Sequence, residues 1–460
     1  MELSFEPACD DWKDRAAGIG AGRVGDTTVG ELRRRTRSEL GLAVDRPIVA
    51  TGHQSLLWHP GILVKYLAVQ AITGECTDCA GANLVVDQHT GDFGSFDVPA
   101  RGVDGALVVR SVTLTEASEG VPMGWHPAFV PAEPKVGSAA LPCVETGVRR
   151  IVGAVAAHAD RPNAALQMAA ALAELMSPWV RPWPDVSSSD LMKTSLARAV
   201  LQEMVRDARA CAAAYNAAVA AVPDAGIGPL TVSGDRVELP LWRRGPADRR
   251  EHADDADVRR WLDGGDDQPE LLPRALLLTL LVRLGMCDLF VHGTGGARYD
   301  RAMERWLDDW LGLRPAPIAT ATASLRLPLG RPGEPPVALV DAQRAARRAW
   351  HDPESVAGAG RPVPGPRKSD LLGAVNSAVR RSPERRRAFT RMHQALADLR
   401  RDHADRVDAA RRQEHIARRQ ALEAPIAARR DWAFPLYPPE MIDELAAAVR
   451  VRVRVTTQPS

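Results

Sequence analysis

Three short stretches of this chain carry side chains able to move protons or hold an anion. The first is Thr51-Gly52-His53-Gln54, with His59-Pro60-Gly61 close behind; the second is Asp87-Gln88-His89-Thr90-Gly91-Asp92; the third is His292-Gly293-Thr294-Gly295-Gly296. Only 11 histidines occur in 460 residues, so the placing of His53, His59, His89 and His292 in these stretches is informative. Imidazole changes charge near neutral pH, which suits it to proton transfer and to stabilising developing negative charge. His53 and His59 are assigned the second role. His89, between Asp87 and Asp92, is read as an acid–base or acceptor-orienting cluster, because carboxylates orient an imidazole. Gly293, Gly295 and Gly296, with Thr294, suit a cradle whose backbone N–H groups approach a phosphate or an acceptor, with His292 and Tyr299 beside it. Thr51, Gly52, Gln54 and Gly61 complete the expected nucleotide- or substrate-binding set, and no metal ligand is assigned. The competing reading is structural: turns between strand and helix whose histidines cap and pack, with Asp92 capping and Gly91 left-handed. Taken alone the glycine loop is weak evidence, since it matches neither the dinucleotide fingerprint nor a P-loop.

Such loops need rigid supports. Residues 47–51, 83–87 and 288–292 are apolar runs that read as buried strands,. Helical patterns begin at Pro60-Gly61 and at Ala297. Loops that leave a strand's carboxyl end and enter a helix are where open α/β sheets bind ligands. A helix is expected over 29–40 and a further strand over 105–114. Residues 271–285 read as a buried helix with Arg274 and Arg283 on its polar positions. The expected fold class is α/β, divided as follows: one half of the sheet domain at 1–145, a mainly helical insertion at 146–268, and the resumed sheet at 269–330. A Pro/Gly-rich linker (331–368), a coiled coil or helical hairpin (369–430) and a tail docking on the core (431–460) complete it. Phe389, Met392, Leu396 and Leu399 recur at helical spacing and predict the seam of a homodimer.

Composition narrows the class. The net charge of +1 argues against an overall nucleic-acid footprint,. The Arg-rich helices beyond 369 keep a nucleic-acid role only as the weakest reading. No amino-terminal leader pattern is seen, and the most apolar window, 271–291, is broken by Arg274, Arg283 and Asp288, so no membrane span is expected,. Six cysteines in this length do not make a disulfide scaffold,. Cys76-Thr77-Asp78-Cys79 has the spacing of half a zinc or redox site, but no second pair exists,. A cytoplasmic protein is expected.

The three loops together resemble the bacillithiol biosynthesis cysteine-adding enzymes. TGHQ…HPG at 51–61 is similar to that family's TGxQ…GP opening. VVDQHTGDF at 85–93 is similar to its strand followed by EDHDF, and residues 271–303 to its LxPR…YVGGPGEIAY stretch. The tail's Phe434-Pro435 fits the same order. The resemblance implies a Rossmann-like nucleotide-binding core with a helical insertion and a dimerising coiled coil, related to adenylate-forming nucleotidyl transferases. It implies a site for ATP, ADP or another nucleotide, and a ligase reaction adding cysteine to a glucosaminyl malate. Here the acid before Asp-His and the glutamate after the glycine loop are replaced. The expected function is therefore ligase-like condensation of an amino acid with a small sugar-derived acceptor. A non-catalytic ligand-binding or scaffold homologue and a nucleotidyltransferase-type adenylate-forming enzyme stand as alternatives.

Overall fold

The computed structural model describes residues 2–6, 22–75, 78–330, 337–356 and 366–454. Two compact units emerge: one comprises Met1–Ala100, Val109–Leu327 and Arg430–Ser460, the other Arg101–Val108 and Pro328–Arg429.

The first unit is mixed α/β, built on a six-stranded sheet. Its strands, labelled in chain order, are β1 (Glu2–Glu6), β2 (Ile48–His53), β3 (Ala80–Val85), β4 (Asp185–Ser187), β5 (Leu289–His292) and β6 (Ile318–Ser324). They lie in the order β1-β6-β5-β2-β3-β4. All neighbours run parallel except β1, which pairs antiparallel with β6 at the edge. Parallel strands are covered on both faces and so read as unbroken apolar runs. Ile48 and Ala50 of β2 join Leu84, Phe290, Leu278 and Val282 in one buried layer. The helix Pro60–Glu75 covers the sheet, and the helix Pro439–Arg454 packs on it in turn.

The topology creates a cleft. From β2 the chain passes to β3 and then β4 on one side; β5 returns to the opposite side of β2, with β6 beyond it. The loops leaving β2 and β5 therefore diverge at their carboxyl ends, the place where open parallel sheets accept ligands.

The helix Val29–Glu39 forms where expected, with Thr28 accepting from the Glu31 N–H at 3.3 Å. Three expectations change. The strand over 105–114 forms, as Leu107–Thr113, but in a separate three-stranded sheet with Ser95–Arg101 and Ser138–Ala139. The stretch 146–268 is not an insertion between sheet halves, because it contains β4. It also holds an antiparallel sheet of Val232–Ser233, Arg236–Arg244 and Arg250–Asp254, completed by Leu271–Pro273. Its helices between Ser188 and Asp263 share one core with Leu276, Leu280, Met303 and Trp306. Arg283 is not on a polar face: it is 1% exposed, bonded to Asp300 and Glu304 and donating from Nε to the Ala316 carbonyl.

The tail docks within the first unit. The Phe434 N–H donates to the Trp58 carbonyl at 2.6 Å, and the Tyr437 hydroxyl to the Leu325 carbonyl at 3.0 Å. Among the described residues no helix is long and apolar enough to cross a membrane.

The second unit consists largely of helices: Leu339–His351, Lys368–Ser377, Pro383–Asp402 and Ala404–Ala428. The first of these falls inside the stretch expected as linker. Met392 and Leu396 pack with Ala388 on Val375 of Lys368–Ser377, while Phe389 stays 51% exposed. The apolar seam thus closes within the chain as a helical hairpin.

Candidate functional site

A cavity of about 710 Å³ opens above the carboxyl ends of β2, β3 and β5. His53, His59, His89 and His292 all line it, so the three loops do converge on one space. Cationic side chains complete the wall: Lys65, Arg250 and Arg274. No aspartate or glutamate is among the described residues lining it. A cavity with this lining attracts negative charge, and its low-dielectric walls strengthen the attraction.

Lys65 sits at the base. It is 2% exposed, and its ammonium donates to the Gly52 carbonyl at 2.7 Å. No carboxylate among the described residues pairs with it, and burial lowers its pKa to about 7. An ammonium has three N–H donors, and one bond accounts for one of them. Its Cδ lies alongside Gly293, at the start of the glycine loop. Beyond it, the N–H groups of Thr294 and Gly295 find no acceptor among the described residues, while Gly296 N–H donates to Gly293. Helix Gly296–Leu311 begins there. Free N–H groups at a helix start beside a buried ammonium form an anion cradle.

His53 ends β2 and faces the same space. Burial pushes its pKa well down; the charges of Lys65, His59 and His89 push the same way, and the Gln54 carbonyl, 3.2 Å from Nδ1, partly opposes them. His89 is also lowered by burial, then by the neighbouring Arg250. Arg250 donates to the Gln88 carbonyl at 2.8 Å and to the Thr90 hydroxyl at 3.0 Å. Its guanidinium lies 4.6 Å from the Trp242 ring centre, and Arg274 lies 4.9 Å from the same ring. Lys65, His53, His89 and Arg250 thus form a continuous basic strip in which each disfavours its neighbour's charge.

Gly52 is required by contact. A Cβ there would collide with Leu84 of β3. Gly296 is required in the same way, by the His292 ring. Gln54 lines the cavity, and its carbonyl accepts from the Trp58 indole at 2.7 Å. Tyr299 lines it as well, with its hydroxyl pKa pushed up by burial and then by Asp300.

Four expected site residues take other roles. Thr51 spends its hydroxyl on the Val291 carbonyl at 2.8 Å, tying β2 to β5 outside the cavity. Asp87 points to the start of helix Ser188–Met192, where Oδ2 accepts from the Ser189 N–H at 3.3 Å. Burial raises its pKa against the opposing hydrogen bonds of Ser189 and Ser188. Asp92 is an exposed turn cap, accepting from the Gly94 N–H at 2.8 Å and from the Ser95 hydroxyl. His89 is therefore partnered by a cation and not by two acids. His59 caps helix Pro60–Glu75: Nδ1 accepts from the Gly61 N–H at 3.1 Å and its carbonyl from Ile62 and Leu63. The N–H groups that Gly61's helix start was expected to offer an anion are thus already occupied.

The sequence reading missed Lys65, Arg250, Arg274 and Trp242. For Lys65 a signal existed, because ILVKYLAV is apolar on every face and a charge within it has to be buried,. Arg250 and Trp242 lie on a hairpin remote in sequence and carried no such signal. Among the described residues no cluster of three metal-ligating side chains occurs. Cys79 is disulfide-bonded; Cys76 lies outside the described residues. No protein-family model and no curated protein matches this sequence.

Proposed function

We propose that this chain is an enzyme that holds an anionic small molecule above a Rossmann-like sheet and condenses an amino acid with a sugar-derived acceptor. The observation that carries the reading is one shared cavity at the strand ends, whose described lining residues include four histidines and three cations and no acid. The parallel strands β4-β3-β2-β5-β6 stand in the order 3-2-1-4-5 of doubly wound nucleotide-binding folds,, which favours a nucleotide such as ATP or ADP. Lys65 and the Thr294 and Gly295 N–H groups would hold a phosphate or carboxylate. His53 and His89 would meet charge that develops on the reacting group. Arg250, backed by Trp242, would hold the far end of the ligand. The likeness of the three loops to cysteine-adding enzymes supports cysteine as the amino acid and a ligase reaction.

A second reading, a ligand-binding homologue without catalysis, is favoured by one fact: Asp87 and Asp92, the acids expected beside His89, lie elsewhere. The two separate in one experiment. The protein is incubated with ATP, a panel of amino acids including cysteine, and amino sugars carrying an acid group, with products read by mass spectrometry. A condensed product supports the enzyme; AMP and pyrophosphate as by-products assign the adenylate-forming variant. Ligand binding without any product supports the non-catalytic reading, and neither binding nor product overturns both.

A further inference from the structure

One titratable pair at the cavity wall remains outside that account. Of the four cavity histidines, His292 is the one whose ring nitrogen is hydrogen-bonded to a carboxylate among the described residues: Nε2 lies 2.9 Å from Oδ2 of Asp300. A carboxylate only accepts, so Nε2 carries the hydrogen, and in the neutral ring Nδ1 holds a lone pair. Nδ1 makes no hydrogen bond with any described residue. It packs against Gly296, where the Cβ of any other residue would collide with it, so glycine is what leaves this nitrogen uncovered.

Behind the ring, Asp300 is itself fixed. Its side chain is 0% exposed, and Arg283, 1% exposed, donates from Nη1 to the same Oδ2 at 2.9 Å. Arg283 is held by the Ala316 carbonyl and by Glu304. Burial alone would raise the Asp300 carboxyl, but the neighbouring His292, with its hydrogen bond, and the Arg283 guanidinium outweigh it and hold it below the usual carboxylate range. The pair thus has the parts of an oriented base: an anchored carboxylate, one fixed ring tautomer and a free nitrogen on a cavity-lining side chain.

We infer that His292 is the proton acceptor of this cavity, with Asp300 its positioning residue, acting on an amine, thiol or hydroxyl nucleophile bound there. The Nδ1 lone pair takes the proton as the H–X bond breaks, X keeps the electron pair, and the charge arising on the ring is met at Nε2–H by Asp300. This assigns to His292 the role first expected of His89, and it rests on the functional reading only for the nature of the nucleophile.

The test does not need the substrate. In ¹⁵N-histidine-labelled protein, with His292→Gln for assignment, the neutral His292 ring is expected as the Nε2–H tautomer. Diethyl pyrocarbonate, which acylates a free imidazole nitrogen, is then mapped by peptide mass spectrometry with and without inorganic pyrophosphate. His292 is expected to react, pyrophosphate to slow it, and Asp300→Asn to slow it about tenfold or more. Should Asp300→Asn fail to fold, the wild-type tautomer and the reactivity of His292 decide. An Nδ1–H tautomer in the wild type, or an inert His292 while His53 or His89 reacts, overturns the proposal. If pyrophosphate neither binds nor protects but the tautomer and the reactivity are as expected, the base stands and the anion-site reading falls.

Discussion

In water a lysine ammonium keeps its proton to a pH near 10.5; buried beneath the cavity, Lys65 gives it up at about 7. Between those values the unfolded chain binds more protons than the folded one, so folding stability rises with pH across that window. The penalty for burying Lys65 is complete below about pH 7 and gone above about pH 10.5. Lys65→Met is therefore expected to raise the melting temperature at pH 7, by the equivalent of a few kcal/mol. The gain should shrink steadily as the pH is raised to 10, as thermal melts at several pH values will check. Such a residue destabilises the fold for the sake of a ligand. The histidines respond to an anion in the opposite sense. Burial depresses His53 and His89, so an anion among them raises their affinity for protons,. Binding should then take up protons near neutrality and tighten as the pH falls. Titrating pyrophosphate in two buffers of different ionisation enthalpy measures that uptake; proton release on binding would contradict the basic strip.

At the scale of elements, the strands β2, β3 and β5 were legible because parallel strands bury both faces and so leave continuous apolar runs. Their loops were legible for the complementary reason: polar rings and glycines cluster where those runs end. Two things were hidden. β4 is the three-residue strand Asp185–Ser187, too short for a period, and it lies among helices. The directions of His59, Asp87 and Asp92 depend on local capping, which spacing alone does not separate from catalysis. Backbone contact gives a sharp prediction here. Gly52→Ala would drive a methyl group into Leu84 and part β2 from β3. It should cost roughly 1–3 kcal/mol by overpacking, read by denaturant unfolding, and weaken pyrophosphate binding; an unchanged midpoint would show that the two strands have slack.

At the scale of the molecule, the separate helical unit has its own consequence. Its 3-and-4 spacing was visible in the sequence, but the pattern alone could not say whether the partner helix came from the same chain or from another copy. Met392 and Leu396 find theirs in Val375. Leu396→Asp should therefore lose helical signal from the hairpin. It should leave anion binding intact, because every cavity residue belongs to the other unit. Circular dichroism and pyrophosphate titration on the same sample check both halves, and loss of binding together with the hairpin would show that the units are coupled. The central claim, an anion site built around Lys65 at the strand ends, is tested most directly by calorimetric titration of wild type and Lys65→Met with pyrophosphate at pH 7 and low salt. The wild type should bind saturably, and the variant, although more stable, about tenfold or more weakly, the loss expected of a charged hydrogen bond. Equal binding by the two proteins, or no binding by the wild type, would contradict the account.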